Sequence, residues 1–586
     1  MADSNKPLYL RGLDAVERLG NHLPHPFWLF CLLIVATVLL SAAMNAAGVV
    51  VYTPETQVLR RGGQPGLQVE GGPDFEPLTL ELKSAAKSGK LVNLYLEVRR
   101  DGQVVAEHPV ERDALAHLEV DEPVLHTPGT YRIHVVARPV AIPIKSLLSA
   151  EGLNWAVLSL VENFAHFEPL GLVLVMLMGV SIAEGAGLIT AVMRAVALAV
   201  PERLIVPVLF ALAACGNIGS DAGVVVIPPL AAAIFKQMGK NPITGLLVGY
   251  VGATAGFTAN LLPAGTDVLA MSLTNAATGN EPEISVLANW YFMIVSVFFL
   301  AILGTVVTHR LVEPRLGDVG GPAGEKVAGL SAEEKRGLAF GLGAVALTLG
   351  VWLLTLLPEQ GILRNSEPDQ FWRSPFFKGL VPILFTLFAV GGLAYGKVTG
   401  SVKKADDLLT FMGDAMKRMG PYIVLVLAIS QFTEAFQFTA LDRFIAIKGA
   451  EILRGVGFEQ YPIPFFVAFI TAVAVANLFM GSASAKWAIF APIFVPMFMS
   501  LGYHPAFTQL LYRVGDSITN CVSPLYPYFP LLLGWIADVD KERAKVGTVL
   551  AYLVPYASVL LVGWILMLVV WYLLGLPVGP GSPIHM

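Results

Sequence analysis

Asp221, Arg513 and Asp516 are charged residues set inside long apolar runs. An ionisable group near mid-membrane costs about 2.5–3.5 kcal/mol on insertion scales, so each needs a partner or a function. Arg513 and Asp516 are three apart, hence on one face of a helix, where they can pair. A guanidinium is also a planar fork suited to a substrate carboxylate. Trp487 offers a flat ring for aromatic stacking, with Ser484 three residues before it. Asp221 or Asp516 could exchange a proton or help hold a cation. Four asparagines, Asn217, Asn260, Asn477 and Asn520, form a second constellation. Amide oxygens with unwound backbone carbonyls can hold a desolvated Na⁺ without excessive negative charge.

The bland readings stand beside these. Arg513 and Asp516 can be a structural buried pair, the asparagines polar contacts between helices, and Trp487 an anchor at the membrane interface. Lys486 is a lone cation better suited to snorkelling or to a carboxylate partner than to substrate. Glu184 and Glu434 read as relay carboxylates or as groups facing a helix end. The histidines show no ligand spacing, and His25, His117 and His504 read as loop residues.

The elements that position these residues are read from composition. Hydrophobic residues make up 55% of 586 and charged residues 14%, against roughly 25% charged in soluble domains. Mean hydropathy is +0.65. A soluble enzyme, a disordered scaffold and a nucleic-acid binder all fit poorly, and a net charge of −5 implies no basic face for a polyanion. Cys31, Cys215 and Cys521 each lie in an apolar stretch and read as buried small hydrophobes. The first residues are mixed polar, with Lys6, Arg11 and Arg18 and no signal-peptide cleavage pattern. Phe27–Ala47 is 21 residues without a charge, enough to span a hydrocarbon core of roughly 30 Å.

Between Val51 and Lys145 charges return. Leu91–Arg99, the Asp101-Gly102 turn signal, Gln103–Val110 and Thr130–Arg138 predict a small all-β insertion. Further apolar spans begin near Pro169, Leu204, Ile243, Trp290, Leu338, Phe377, Pro421, Pro464, Ala506 and Gly547. Basic loops at Arg310–Arg336 and Lys397–Arg418, with Lys541, Arg543 and Lys545, place those loops in the cytoplasm by the positive-inside rule. The expected order is a cytoplasmic N-terminus and first helix (1–50), a periplasmic β-rich insertion (51–145) and a first membrane repeat (146–312). A cytoplasmic loop (313–337) and a second repeat (338–586) follow.

The repeats are visible as sequence. Ala214–Asp267 and Val475–Pro527 align at offsets of 260 to 263, with Asn217 against Asn477, Gly219-Ser220 against Gly481-Ser482, Pro242 against Pro505 and Asn260 against Asn520. In each, a polar Gly/Ser/Asn knot interrupts an apolar run, and a proline-bearing limb, a Gly-x-x-Pro turn and a second interruption follow. Irregular backbone at membrane depth survives only where protein or a water-filled cavity satisfies it, and paired interruptions point to a transporter site. The fold class expected is an all-α polytopic membrane protein with inverted repeats, two re-entrant hairpins and discontinuous helices. The repeat pairs Asn217 with Asn260 and Asn477 with Asn520, one cation site each, with Asp267 a further contributor to the first.

LGNHLPHPFWLF, FEPLGLVLVMLMGVSIAEGAGL, GSDAGVVVIPPL, GFTANLLPAGTD, GSASAKWAIFAPIFVPM and YRVGDSITNCVSPLYPYFP together resemble the p-aminobenzoyl-glutamate transporter (AbgT) family, from Leu19 to about Leu574. The 51–145 insertion is longer than the family pattern. The resemblance implies a bacterial inner-membrane homodimer with about nine membrane helices and two re-entrant hairpins per subunit. Its cargo would be p-aminobenzoyl-glutamate or a related anionic aromatic folate metabolite, or an exported sulfonamide antimetabolite, coupled to a Na⁺ or H⁺ gradient. It matches Asp221, Ser484, Trp487, Arg513, Asp516 and Pro524 to the family's substrate site, where Trp487 could stack on an aminobenzoyl ring. No other cofactor is implied.

Other classes fit less well. No phosphate-binding loop for an ATP-driven pump is present. Ser482 or Ser484 near Lys486 vaguely suggests an intramembrane hydrolase, and a passive channel would need no mirrored hairpins. Neither explains the duplicated interruptions.

Overall fold

The computed structural model describes residues 26–586 apart from 53–55, 58–59, 62–63, 74, 81–92, 102, 112–116, 220–221, 280–281, 318–328, 366–370, 373, 481 and 524–525. The chain divides into two units, one of residues 1–34, 158–434 and 452–586, the other of 35–157 and 435–451.

The second unit holds the predicted β-structure. Its strands are β1 (Val50–Tyr52), β2 (Thr56–Gln57), β3 (Arg60–Arg61), β4 (Gln64–Pro65), β5 (Leu67–Gly71), β6 (Leu78–Leu80), β7 (Leu94–Arg100), β8 (Gln103–Val110), β9 (Leu118–Val120), β10 (Gly129–Ala137) and β11 (Ala141–Pro143). β7 and β8 form the expected hairpin, turning at Asp101 with a left-handed φ of 52°, a conformation Asp tolerates better than most residues. β10 lies between β7 on one side and β2 and β5 on the other, all antiparallel. Tyr131, Ile133 and Val135 alternate into an apolar core with Leu96, Val98, Leu118 and Val120. Glu97 is buried beneath two guanidinium groups, Arg99 Nη2 at 2.6 Å and Arg138 Nη2 at 3.3 Å. β1 and β11 pair, Val50 opposite Pro143, and so bring the two ends of the insertion together.

The helices are α1 (Pro26–Ala46), α2 (Ala150–Ala165), α3 (Glu168–Gly185), α4 (Leu188–Leu198), α5 (Ile205–Cys215), α6 (Ala222–Gln237), α7 (Pro242–Ala255), α8 (Gly265–Thr278), α9 (Trp290–Val307), α10 (Ala332–Leu354), α11 (Leu380–Thr399), α12 (Ala405–Phe438), α13 (Leu441–Gly455), α14 (Pro462–Phe479), α15 (Ala483–Ser500), α16 (Pro505–Ile518), α17 (Phe529–Val539) and α18 (Val546–Leu573), with short turns omitted. Among the described residues nine helices are long and apolar enough to cross a membrane. Two of these, α14 and α15, are limbs of the second hairpin. α12 continues past Pro421 and begins at Ala405, where a start near Pro421 was expected. Its first half carries Asp406, Asp407, Lys417 and Arg418, which hide a helix from hydropathy.

The repeat is built from contacts that recur with the sequence offset. In the first repeat α5, a 3₁₀ turn at Gly216–Gly219 and α6 form a hairpin whose limbs both pack on α7. In the second, α14 and α15 pack on α16 in the same way. Pro242 and Pro505 each open a helix, capped by Asn241 and His504, which accept from Ile243 N and Ala506 N at 3.0 and 3.3 Å. Proline is favoured at a first helical position because its missing N–H would have no partner there. Gly252 and Gly515 mark equivalent close crossings: a Cβ at Gly252 would meet Phe210 O at 2.7 Å, and one at Gly515 would meet Ile470 O at 2.6 Å. α7 stops at Gly256 and resumes as α8 at Gly265, while α16 passes through a 3₁₀ turn at Thr519–Val522 before α17. The discontinuous helices are therefore present in both repeats. Of the three cysteines only Cys521 is fully buried; Cys31 and Cys215 are half-buried at the sides of their helices.

Candidate functional site

The second hairpin and the two broken helices converge on two buried ion pairs. Arg513 on α16 is not paired with Asp516, as helical spacing allowed. Its Nη2 lies 2.6 Å from Asp267 Oδ1 on α8 and donates to Thr258 O at 3.0 Å in the break between α7 and α8. Asp516 takes Lys486 from α15, Nζ to Oδ1 at 2.7 Å, with both side chains 1% exposed. The reason is directional. A three-residue step puts two side chains on one face, yet each of these meets an opposite charge presented head-on by a neighbouring helix. Charged hydrogen bonds of that kind are the stronger ones. Asp267 also caps α8, its Oδ2 accepting from Ala264 N at 2.7 Å.

Of the two readings open for Lys486, snorkelling or a carboxylate partner, the structure shows the carboxylate partner. Its Nζ also donates to Asn477 Oδ1. The hydroxyls of Ser482 and Ser484 lie 3.1 Å from one another. Ser484 is half-buried beside the hairpin tip. Tyr512, which sequence reading passed over, has its hydroxyl 3.0 Å from Asp516 Oδ1 and 2.7 Å from Ala483 O. Its position four residues before Asp516 was the available signal.

Trp487 is fully buried, not at an interface. Its ring stacks on Tyr512 at 4.4 Å, and its Nε1 donates to Thr274 Oγ1 at 3.0 Å on α8. Thr274 in turn donates to Gln509 Oε1 at 2.7 Å on α16. One face of the indole is therefore taken by Tyr512.

The four asparagines divide. Asn477 Nδ2 donates to Asn520 Oδ1 at 2.9 Å and to Asp516 O, so these two side chains meet directly in the second repeat. In the first, Asn217 Nδ2 donates to Ala253 O at 2.9 Å, the counterpart of Asp516 O. Asn260 instead approaches Asp267 Oδ2 at a long 3.5 Å, and among the described residues no hydrogen bond joins it to Asn217. Among the described residues Asn260 Oδ1 is buried without a partner, as are Arg513 Nε and Asp516 Oδ2. One first-repeat amide oxygen, Asn260 Oδ1, is thus left open among the described residues, while both amide oxygens of the second pair are occupied. Asp221 and Pro524 lie outside the described residues. Glu184 faces Arg418 at 3.3 Å.

Buried pairs of this kind are poor sources of stability, because desolvation offsets their attraction. Four such charges with unsatisfied polar atoms beside them are expected where a protein handles charged cargo.

Comparison with known proteins points the same way. Residues 117–586 match the AbgT putative transporter family. The p-aminobenzoyl-glutamate transport protein of Escherichia coli (strain K12) is 40% identical over 443 residues, covering 75% of this chain and 87% of that one. The crystal structure of the Alcanivorax borkumensis YdaH transporter superposes with a TM-score of 0.75 at 29% identity, over 95% of this chain and all of that one. Neisseria gonorrhoeae MtrF, described with a class of antimetabolite efflux pumps, superposes with a TM-score of 0.77 at 32% identity, over 98% of this chain and all of that one.

Proposed function

Since the chain belongs to the AbgT family of transporters, we propose that it is a secondary active transporter of an anionic aromatic cargo driven by a Na⁺ or H⁺ gradient. The cargo class is p-aminobenzoyl-glutamate or a related folate metabolite, as in the name of the Escherichia coli relative, with sulfonamide antimetabolites as further cargo. The observation that carries the reading is charge balance at the converging helices. Among the described residues Arg513 and Lys486 offset Asp267 and Asp516. A lone anion entering a balanced, buried site meets a net penalty that an accompanying cation removes. Arg513 Nε and Asp516 Oδ2 are the unsatisfied donor and acceptor that such a pair of cargoes would meet. Arg513 receives the carboxylate, and Asn217, Asn260 and Asp267 surround the cation of the first repeat. The working unit is a homodimer in a bacterial inner membrane, with the N-terminus in the cytoplasm and the β-rich unit in the periplasm.

Purified protein in liposomes tests this. Labelled p-aminobenzoyl-glutamate is followed under a Na⁺ gradient, a pH gradient and neither. Accumulation under one gradient alone is the expected result and names the coupling ion. Movement that equilibrates without any gradient would make the protein a passive channel. No movement would withdraw the cargo, with a sulfonamide tested next.

A further inference from the structure

The two repeats share backbone and differ in chemistry. Asn217 and Asn477 occupy equivalent hairpin positions and donate to equivalent carbonyls, Ala253 O and Asp516 O. Around the hairpin tips the equivalence ends. At the offset of 262 that aligns Gly219 with Gly481, Lys486 stands against Val224 and Asp221 against Ala483. At its tip the first repeat has an acid and no lysine in sequence, and among the described residues Asn260 Oδ1 is left without a partner. The second has a lysine and no acid at its tip, and there Lys486 Nζ is bound by Asn477 Oδ1 and Asp516 Oδ1. An amide oxygen and a carboxylate oxygen converging on one positive nitrogen are the same donors a hard monovalent cation takes.

We propose that the Lys486 ammonium is a tethered cation that competes with the coupling ion for the Asn477 and Asp516 oxygens. This rests on the transport reading above and deepens it. A metal cation and an ammonium cannot share these two oxygens, because two like charges at contact distance in a buried site repel strongly. One must leave for the other to enter. Asp516 Oδ2, buried and without a partner among the described residues, is the acceptor through which an arriving ion engages before the lysine lets go. Lys486 released from Asp516 is then a mobile positive charge beside the hairpin tip, where an anionic cargo is stabilised by it. Cation entry and anion binding are thereby linked, and the intrinsic cation affinity of the second repeat is set low by the lysine.

The test uses full-length protein in detergent and equilibrium binding of radioactive Na⁺, with wild type, Lys486→Met and Lys486→Arg compared. Lys486→Met is expected to bind Na⁺ roughly tenfold tighter or more, or to bind one further equivalent per chain. Lys486→Arg keeps a tethered cation and is expected to bind as wild type does. Equal or weaker Na⁺ binding by Lys486→Met, or absence of binding in both proteins, overturns the proposal. The methionine variant leaves Asp516 unpaired, so thermal unfolding in NaCl against equal choline chloride is a second readout. A Na⁺-specific rise in melting temperature larger than that of wild type supports competition, and an equal rise in both proteins overturns it. Neither readout requires flux, so protein that binds as expected but moves nothing in liposomes would retire the transport reading alone.

Discussion

Arg513 and Asp267, 246 residues apart and one from each repeat, form an ion pair with Nη2 2.6 Å from Oδ1 in a site where Arg513 is 2% exposed. Asp267 simultaneously caps α8 and Arg513 donates to the unwound backbone at Thr258. The pair therefore fixes the helix break of the first repeat against the continuous first half of the broken helix in the second. Its energetic meaning lies in what happens when one partner goes.

Removing one member of a buried pair costs about 3–5 kcal/mol, whereas removing both often costs little. Arg513→Met and Asp267→Asn should each lower unfolding stability in detergent by that order. The double variant should recover much of the loss, since no orphaned charge remains. Thermal or denaturant unfolding of all four proteins checks the cycle. Additive losses in the double variant would mean that the two side chains act independently.

Trp487 ties the second hairpin to α8 by its Nε1 bond to Thr274 and by stacking on Tyr512. Trp487→Phe keeps an aromatic ring and loses one hydrogen bond, a net cost of about 0.5–1.5 kcal/mol. Trp487→Ala removes the whole ring, at about 3–5 kcal/mol. The phenylalanine variant is expected to transport with a raised KM, and the alanine variant to lose transport. Undiminished transport by Trp487→Ala in a stable protein would remove Trp487 from the site.

What could be read from sequence follows from where the signal resides. Gly216, Pro242, Pro505 and Asn520 interrupt apolar runs, and such interruptions report local backbone directly, so both hairpins and both helix breaks were legible. α4, α13 and the first half of α12 were not. Arg194 in α4, with Asp442, Arg443 and Lys448 in α13, dilutes the hydropathy on which spans are recognised. Arg194 meets Glu334 at 2.9 Å, a partner 140 residues away. The same distinction divides the site. That Arg513, Asp516 and Lys486 need partners was plain from burial in apolar sequence, but which partners was not. The local spacing of Arg513 and Asp516 offered one answer and the tertiary fold chose Asp267 and Lys486.

Asp221 stands at the tip of the first hairpin in sequence, where the second repeat has Ala483. An acid at that sequence position can exchange a proton or help hold a cation. Asp221→Ala is expected to abolish gradient-driven uptake while leaving expression and assembly intact. Liposome flux with a size-exclusion profile decides it, and wild-type flux in this variant would discard Asp221 as a site residue.

The β-rich unit closes on itself through β1 and β11, where Val50 faces Pro143 and Val51 faces Ile142. Strands in such a pair lie about 4.7–4.9 Å apart, so a short linker can join these ends when the segment between them is removed. Deleting residues 52–141 with a short Gly-Ser linker is expected to leave a transporting membrane unit. A well-folded deletion without flux would instead make the β-rich segment part of cargo capture or gating.

The same unit carries an acid response whose direction follows from two groups. Burial pushes His134 below its ordinary 6.5, with the nearby Arg99 charge acting in the same sense. Burial would raise Glu97, but the hydrogen bonds and charges of Arg99 and Arg138 outweigh it and hold the carboxyl below 4.5. In both cases the unfolded chain binds the proton more readily than the folded one, so stability falls as pH falls. The His134 contribution is complete above 6.5 and is lost as pH drops from there through its folded value. The Glu97 contribution is complete above 4.5 and is lost at lower pH, so acid acts in two stages. Hydrogen-exchange protection of β7 and β10 in the full chain, corrected for intrinsic rates, should decline first below pH 6.5 and again below 4.5. Glu97→Gln removes the titrating carboxyl, so its protection should be lower at neutral pH and should show no second decline. A second stage that persists in Glu97→Gln would assign the acid response to other carboxylates of the sheet.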